Sequence, residues 1–183
     1  MMVPPRRRGA EEEIRFAIGQ SSLGAVLVAS SDRGVVSISI GKNSDEMLGE
    51  LQLELPGAHL VPGDREDKNL VKLVVGFIER PGSELDLPLD IRGTAFQRKV
   101  WRAVQEIPLG ETSTYTEVAK QIGAPKAMRA VGSACANNKL ALVIPCHRVL
   151  RSDGSFVGGT YWNKERQEML MNREAAARVK RSG

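Results

Sequence analysis

Two cysteines in 183 residues are too few for a disulfide scaffold and too few for a thiolate zinc site, so the chain reads as a protein of a reducing compartment. Histidine is as scarce. His59 sits in a Pro-Gly-rich stretch with no second His or Cys near it, which reads as a solvated surface side chain and not a metal ligand. No apolar run approaches the roughly 20 residues that a bilayer span needs, so no membrane partner is expected. The basic opening, with Arg6, Arg7 and Arg8, is followed by no apolar segment. It is read as a disordered tail over residues 1–10 and not as a secretory signal, which points to the cytoplasm or nucleoid.

What the chain does have is a globular composition, 42% hydrophobic and 26% charged, which excludes disorder as its main state. A net charge of +4 hides a division at Gly93. Residues 1–93 hold 11 basic and 15 acidic side chains, residues 94–183 hold 15 and 7, so the second part is the one drawn to a polyanion. The expected organisation is a tail, an α/β domain with linker over 11–93, and a helical domain over 94–183.

In the first part, Ile14–Gly19, Ala25–Ser30 and Val35–Ile40 predict a three-stranded antiparallel meander. Ser44 is expected to cap a helix through Leu53, and Leu70, Leu73, Val74, Phe77 and Ile78 give a helical stripe over 67–79. Leu85, Leu87, Leu89 and Ile91 alternate with polar residues as in an edge strand containing Pro88. No catalytic cluster stands out here.

In the second part, Thr94-x-x-Gln97 and Thr114-x-x-Glu117 have the form of capping boxes opening two helices, the second over Tyr115–Ile122. Gly123-Ala124-Pro125 makes a turn and a third helix is expected over 126–136, the outline of a helix-turn-helix carrying Lys126 and Arg129. Ala127, Ala130, Gly132, Ser133, Ala134 and Ala136 leave that helix thin, with one long cation. A thin helix suits close approach to a nucleic-acid backbone or minor groove, where an Arg can take an extruded base's place; the alternative is that small residues merely allow close helix packing.

Leu140–Ile144 reads as an apolar strand-like run delivering Pro145-Cys146-His147-Arg148-Val149. A cation or imidazole beside a thiol favours the thiolate, so Cys146 is a candidate nucleophile, with an inert buried cysteine as the alternative. Cys135, among alanines on a helix, reads as core.

Pro145–Val149 resembles the active-site motif of the O6-alkylguanine-DNA alkyltransferases, and the likeness runs over residues 12–175, through Leu87–Gln97, Ile107-Pro108, Gly110–Thr112, Pro125–Ala127, Arg129–Val131 and Ser133–Ala141. It is nearest to the Ada-like bacterial branch. The resemblance implies an α+β chain, with a ribonuclease H-like N-terminal domain followed by a winged-helix-like domain holding the helix-turn-helix. It implies a monomer that moves a methyl group from O6-methylguanine, or O4-methylthymine, in double-stranded DNA onto Cys146, once per molecule, with no metal and no cofactor. His147 would take the thiol proton through a water and Glu174 would orient it. Asn138 would brace the turn, Tyr115 would donate to the leaving guanine, and Arg129 would fill the gap left by the flipped nucleotide. Lys126, Ala127, Ala130, Gly132 and Arg148 would meet DNA, and Val157, Gly158, Gly159 and Thr160 would line the base pocket. The four cysteines of the Ada-like zinc domain are missing, so no phosphotriester repair is expected. The alternatives are a non-catalytic alkyl-lesion binder, a helix-turn-helix regulator and a Cys–His hydrolase; Cys146 argues against the first and the thin helix against the second.

Overall fold

The three β-rich runs pair as the sequence predicts. In the computed structural model, which describes residues 12–82, 85–155 and 163–182 with side chains through Arg178, β1 (Glu12–Ser21), β2 (Gly24–Ser31) and β3 (Gly34–Gly41) form an antiparallel meander. The expectation of three strands is corrected to four. β4 (Ala58–Pro62) lies parallel to β1, giving the order β3-β2-β1-β4. A five-residue edge strand flanked by Pro56-Gly57 and ending in Pro62-Gly63 looks like a loop in sequence, because its pairing comes entirely from β1. His59 therefore sits on a strand, opposite Glu13, and is exposed.

Both sheet faces are covered. Ala25, Leu27 and Ala29 of β2 pack with Met47 and Leu51 of α1 (Ser44–Glu54), while Val26 and Val28 face Val71, Val74 and Ile78 of α2 (Arg65–Glu79). A strand buried on both sides loses the alternation of a half-buried one, which is why β2 is apolar almost throughout. The helix starts differ from expectation in detail. Asn43, not Ser44, caps α1, its Oδ1 accepting from the Asp45 and Glu46 N–H groups at 2.9 and 3.2 Å. Asp64 caps α2 and Asp67 reaches back to its N–H, an all-aspartate capping box that starts the helix at Arg65.

The linker is extended but is not a strand. Val35 N–H donates to the Pro88 carbonyl at 2.7 Å and Asp90 N–H to the Val35 carbonyl at 2.8 Å, a single bridge that holds Leu87 in the core. Beyond it, α3 (Ala95–Gln105), α4 (Tyr115–Gln121) and α5 (Met128–Ala136) form the helical part, and both predicted capping boxes are closed. Trp101 of α3 donates from Nε1 to the Ala134 carbonyl of α5 at 2.9 Å, locking the helix-turn-helix onto α3. β5 (Ser113–Thr114) pairs with β6 (Val149–Leu150), and α6 (Lys164–Ser182) closes the chain.

Leu140–Ile144 is not a strand either. It bridges β3 once, through Leu140, and then folds on itself, Ile144 N–H donating to the Leu140 carbonyl at 3.0 Å. Leu142 takes a positive φ of 75°, held there by a side chain that is 3% exposed.

The linker bridge yields a stability prediction. Gly34 has φ +145° and a Cβ there would lie 2.7 Å from the Pro88 carbonyl oxygen. Gly34→Ala is expected to cost about 2 kcal/mol, combining backbone strain with a clash against main chain. Urea unfolding measures it, and an unchanged midpoint contradicts the bridge as described.

Candidate active site

Pro145 starts a single 3-10 turn, Cys146–Arg148, and this tight turn replaces the strand geometry that would have sent consecutive side chains to opposite faces. Asn138 braces it. Its Nδ2 donates to the Ile144 carbonyl at 2.8 Å and its Oδ1 accepts from Leu140 N–H at 2.8 Å, so one buried amide fixes both ends of the loop before the cysteine. Gln167 of α6 fastens the other side, donating from Nε2 to the His147 carbonyl at 2.6 Å.

Glu174 is 1% exposed and lies between two residues of that turn. His147 Nε2 is 2.7 Å from its Oε1; Arg148 donates from Nε to Oε2 at 2.9 Å and from Nη2 to Oε1 at 3.1 Å. Arg148 Nη1 also donates to the Ile107 carbonyl at 2.7 Å, just beyond the end of α3. The expected DNA contact by Arg148 is thus corrected: the side chain is buried and its guanidinium is committed to Glu174 and to backbone. α6 comes close enough to do this because residue 110 is glycine. Its φ is +82°, and a Cβ there would meet Arg178 Cβ at 2.8 Å and the Glu174 carbonyl at 3.2 Å.

The protonation states follow from burial and partners. Burial pushes His147 below its ordinary 6.5; Glu174 opposes this and Arg148 reinforces it, so the ring is neutral at pH 7. Burial alone would raise Glu174, but the bonds and charges of His147 and Arg148 outweigh it and hold the carboxyl below its ordinary range. With Glu174 ionised, Nε2 carries the ring proton and the Nδ1 lone pair is the basic site. The Cys146 thiol is pushed well up by its hydrogen bond with the Cys135 thiol and by burial, with the Asn138 amide pulling the other way. Cys146 therefore rests as a protonated thiol, followed in sequence by a neutral imidazole. Tyr115, at the start of α4, is pushed up to about 12 by burial and by the nearby Cys135 and Cys146, so its phenol keeps its proton and can donate.

The structure brings together Cys146, His147, Glu174, Asn138 and Tyr115. On α5 and the turn before it, Lys126, Arg129 and Ala130 are exposed, while Ala127 and Gly132 are half-buried. Val157, Gly158, Gly159 and Thr160 lie outside the described residues. Among the described residues no group of three or more His, Cys, Asp or Glu is arranged to hold a metal ion. Sequence reasoning missed Gln167 and the Ile107 carbonyl. Only the buried i, i+7 spacing of Gln167 and Glu174 on α6 was there to signal the first.

Residues 95–176 match the family model described as 6-O-methylguanine DNA methyltransferase, DNA binding domain. The chain is 45% identical over 170 residues to the bifunctional transcriptional activator/DNA repair enzyme Ada of Escherichia coli, covering 93% of this chain and 48% of that one. It therefore spans about half the length of the Ada relatives it matches. It is 37% identical over 143 residues to the methylated-DNA–protein-cysteine methyltransferase of Methanosarcina barkeri, covering 78% of this chain and 86% of that one. Its fold is similar to the crystal structure of Mycobacterium tuberculosis O6-methylguanine methyltransferase, with a TM-score of 0.73 and 30% identity over 90% of this chain and 94% of the other. A cysteine turn held by a buried His–Glu pair, in a chain this similar to whole members, places the protein in the methylated-DNA–protein-cysteine methyltransferase family.

Proposed function

We propose that this chain repairs O6-methylguanine in double-stranded DNA by moving the methyl group onto Cys146, irreversibly and once per molecule. The observation that carries this reading is the buried Glu174, which holds a neutral His147 beside a protonated thiol. His147 takes the Cys146 proton through a water as substrate arrives. The thiolate attacks the methyl carbon in line, the C–O6 bond breaks, and the Tyr115 phenol donates to the guanine as it gains negative charge. The sulfur supplies the electron pair and guanine is the leaving group, so the transfer calls on no metal or cofactor.

DNA lies along α5 in this reading. The outer face carries Arg129, Ala130, Ser133 and Ala136, all exposed, so the helix can approach the duplex closely and Arg129 can occupy the place of a flipped nucleotide. Lys126 and the net charge of the 94–183 part add attraction to phosphate. The finer fold that goes with this is a ribonuclease H-like sheet domain over 11–93 and a winged-helix-like domain over 94–183, acting as a monomer in the cytoplasm or nucleoid; the sheet order and the α4–turn–α5 unit support it. O4-methylthymine is a second substrate of the same chemistry.

The test is incubation with a duplex carrying methyl-labelled O6-methylguanine. Label is expected on the protein in a one-to-one ratio and is expected to vanish in Cys146→Ser; unlabelled protein that still binds the lesion overturns the reading. Arg129→Ala is expected to slow repair of duplex by at least tenfold while leaving reaction with free O6-methylguanine base within about twofold, since only the duplex needs the gap filled. Equal slowing on both substrates removes the flipping role. The buried network also sets acid sensitivity. His147 and Glu174 are both held below their ordinary values of 6.5 and 4.5, so the unfolded chain binds more protons than the folded one as pH falls. Stability is expected to decline first below about pH 6.5 and again below about 4.5; His147→Gln flattens the first decline. Urea midpoints that are equal at pH 7.5 and 5.5 contradict the neutral, buried imidazole.

A further inference from the structure

With Arg148 committed to Glu174, the segment from Cys146 to Ser155 has one other cation, Arg151, and it is exposed. Two short strands decide where it stands. β5 and β6 run parallel, with Ser113 opposite Val149 and Thr114 opposite Leu150, so Tyr115 and Arg151 leave the ladder side by side. The two segments stay together beyond it. Thr116 Oγ1 is 2.9 Å from Ser152 Oγ and 2.9 Å from Met128 Sδ, which ties the Arg151 segment to the first residue of α5, directly before Arg129. Arg151 also belongs to a closed turn. Its N–H donates to the Ser155 carbonyl at 3.1 Å, its carbonyl accepts from Gly154 N–H at 2.8 Å, and Gly154 takes the φ of +81° that the reversal needs. Asp153, the carboxylate of the same turn, accepts from Ser155 N–H at 2.9 Å. Among the described residues no ion pair ties down the Arg151 guanidinium, whereas those of Arg92 and Arg148 are bound to carboxylates.

We propose that Arg151 binds a phosphodiester of the strand that carries the flipped nucleotide, beside the base that Tyr115 meets. Where the duplex lies rests on the function proposed above. Tyr115 reaches the extruded guanine, so a cation leaving the neighbouring strand at the same level stands by the sugar-phosphate chain flanking that nucleotide. A guanidinium offers a phosphate two parallel N–H donors and keeps its charge at every relevant pH. Such a contact carries no sequence information; it fixes the register of the protein on the duplex and holds the strand while its base is out of the stack. Arg129 and Arg151 divide the work, one filling the gap and the other holding the backbone.

The experiment measures binding of a short undamaged duplex between about 50 and 200 mM KCl. Arg151→Gln is expected to lower the slope of log affinity against log salt by about one, because one counterion fewer is released. Arg151→Lys keeps the charge and is expected to keep the slope. Lys72→Gln removes the same charge from the exposed side of α2 and is expected to leave the slope unchanged. Reaction of Arg151→Gln with free O6-methylguanine base is expected to stay within about twofold of wild type, since no phosphate is present. An unchanged slope in Arg151→Gln, a lower one in Arg151→Lys, or an equal drop in Lys72→Gln overturns the contact. In wild-type protein, duplex is expected to protect Arg151 from phenylglyoxal, read by peptide mass spectrometry; equal modification with and without duplex overturns the proposal whether or not the variants fold. Protein in which duplex protects Arg151 but which transfers no methyl overturns the function and leaves the phosphate contact in place.

Discussion

The site depends on one buried carboxylate. Taking an ionised glutamate out of water costs several kcal/mol unless its oxygens are bonded and its charge is matched, and Glu174 meets both conditions through Arg148 and His147. The two partners do different things. Arg148 supplies the permanent positive charge that balances the carboxylate, which lets His147 stay neutral in the same interior. In the proposed transfer the pair keeps a base ready beside the thiol at rest, and when the proton moves to the ring the carboxylate is already in place to stabilise the imidazolium, the logic of a catalytic triad. A site with a charged His147 at rest has no base to offer a protonated thiol.

Helix α6 turns this interaction into a constraint on the whole chain. Arg166 donates to the Leu23 and Ile40 carbonyls on the sheet, Gln167 to the His147 carbonyl, Leu170 is in the core, and Arg173 donates to the Ile78 carbonyl at the end of α2. These side chains, with Glu174, lie along one side of the helix at the 3.6-residue period. The described part of the sheet adds no side chain to the Glu174 network, yet it anchors the helix that delivers the carboxylate. Gly110 permits the close approach from the opposite side, and the Ile107 carbonyl ties Arg148 to α3. The backbone carbonyls of Leu23, Ile40, Ile78, Ile107 and His147 thereby help to set the position of one carboxylate.

Much of this was legible in the sequence where local chemistry decides local structure. The boxes Thr94–Gln97 and Thr114–Glu117, the stripe of α2 and the meander all follow from rules that act within a few residues. What escaped was decided at a distance. β4 exists because β1 offers it an edge, and Leu140–Ile144 has the composition of a strand but bonds to itself because only Leu140 reaches β3. The resemblance placed Arg148, two residues after Cys146, among the DNA contacts; its burial follows from Glu174, which lies 26 residues away on α6. Cys135 was read as core and packs against it, but no spacing rule says that the Asn138 amide reaches the Ile144 carbonyl six residues on. The pairing of His147 with Glu174 came from resemblance to a family, since no residue pattern between them announces it.

The most direct test of this account is the protonation of His147, followed by nitrogen-15 NMR of the imidazole in the reduced protein across pH 4 to 8. The account predicts a neutral ring at pH 7 with its proton on Nε2, toward Glu174, titrating below the ordinary 6.5 and losing that behaviour in Glu174→Gln. An imidazolium at pH 7, or a neutral ring with its proton on Nδ1, contradicts it.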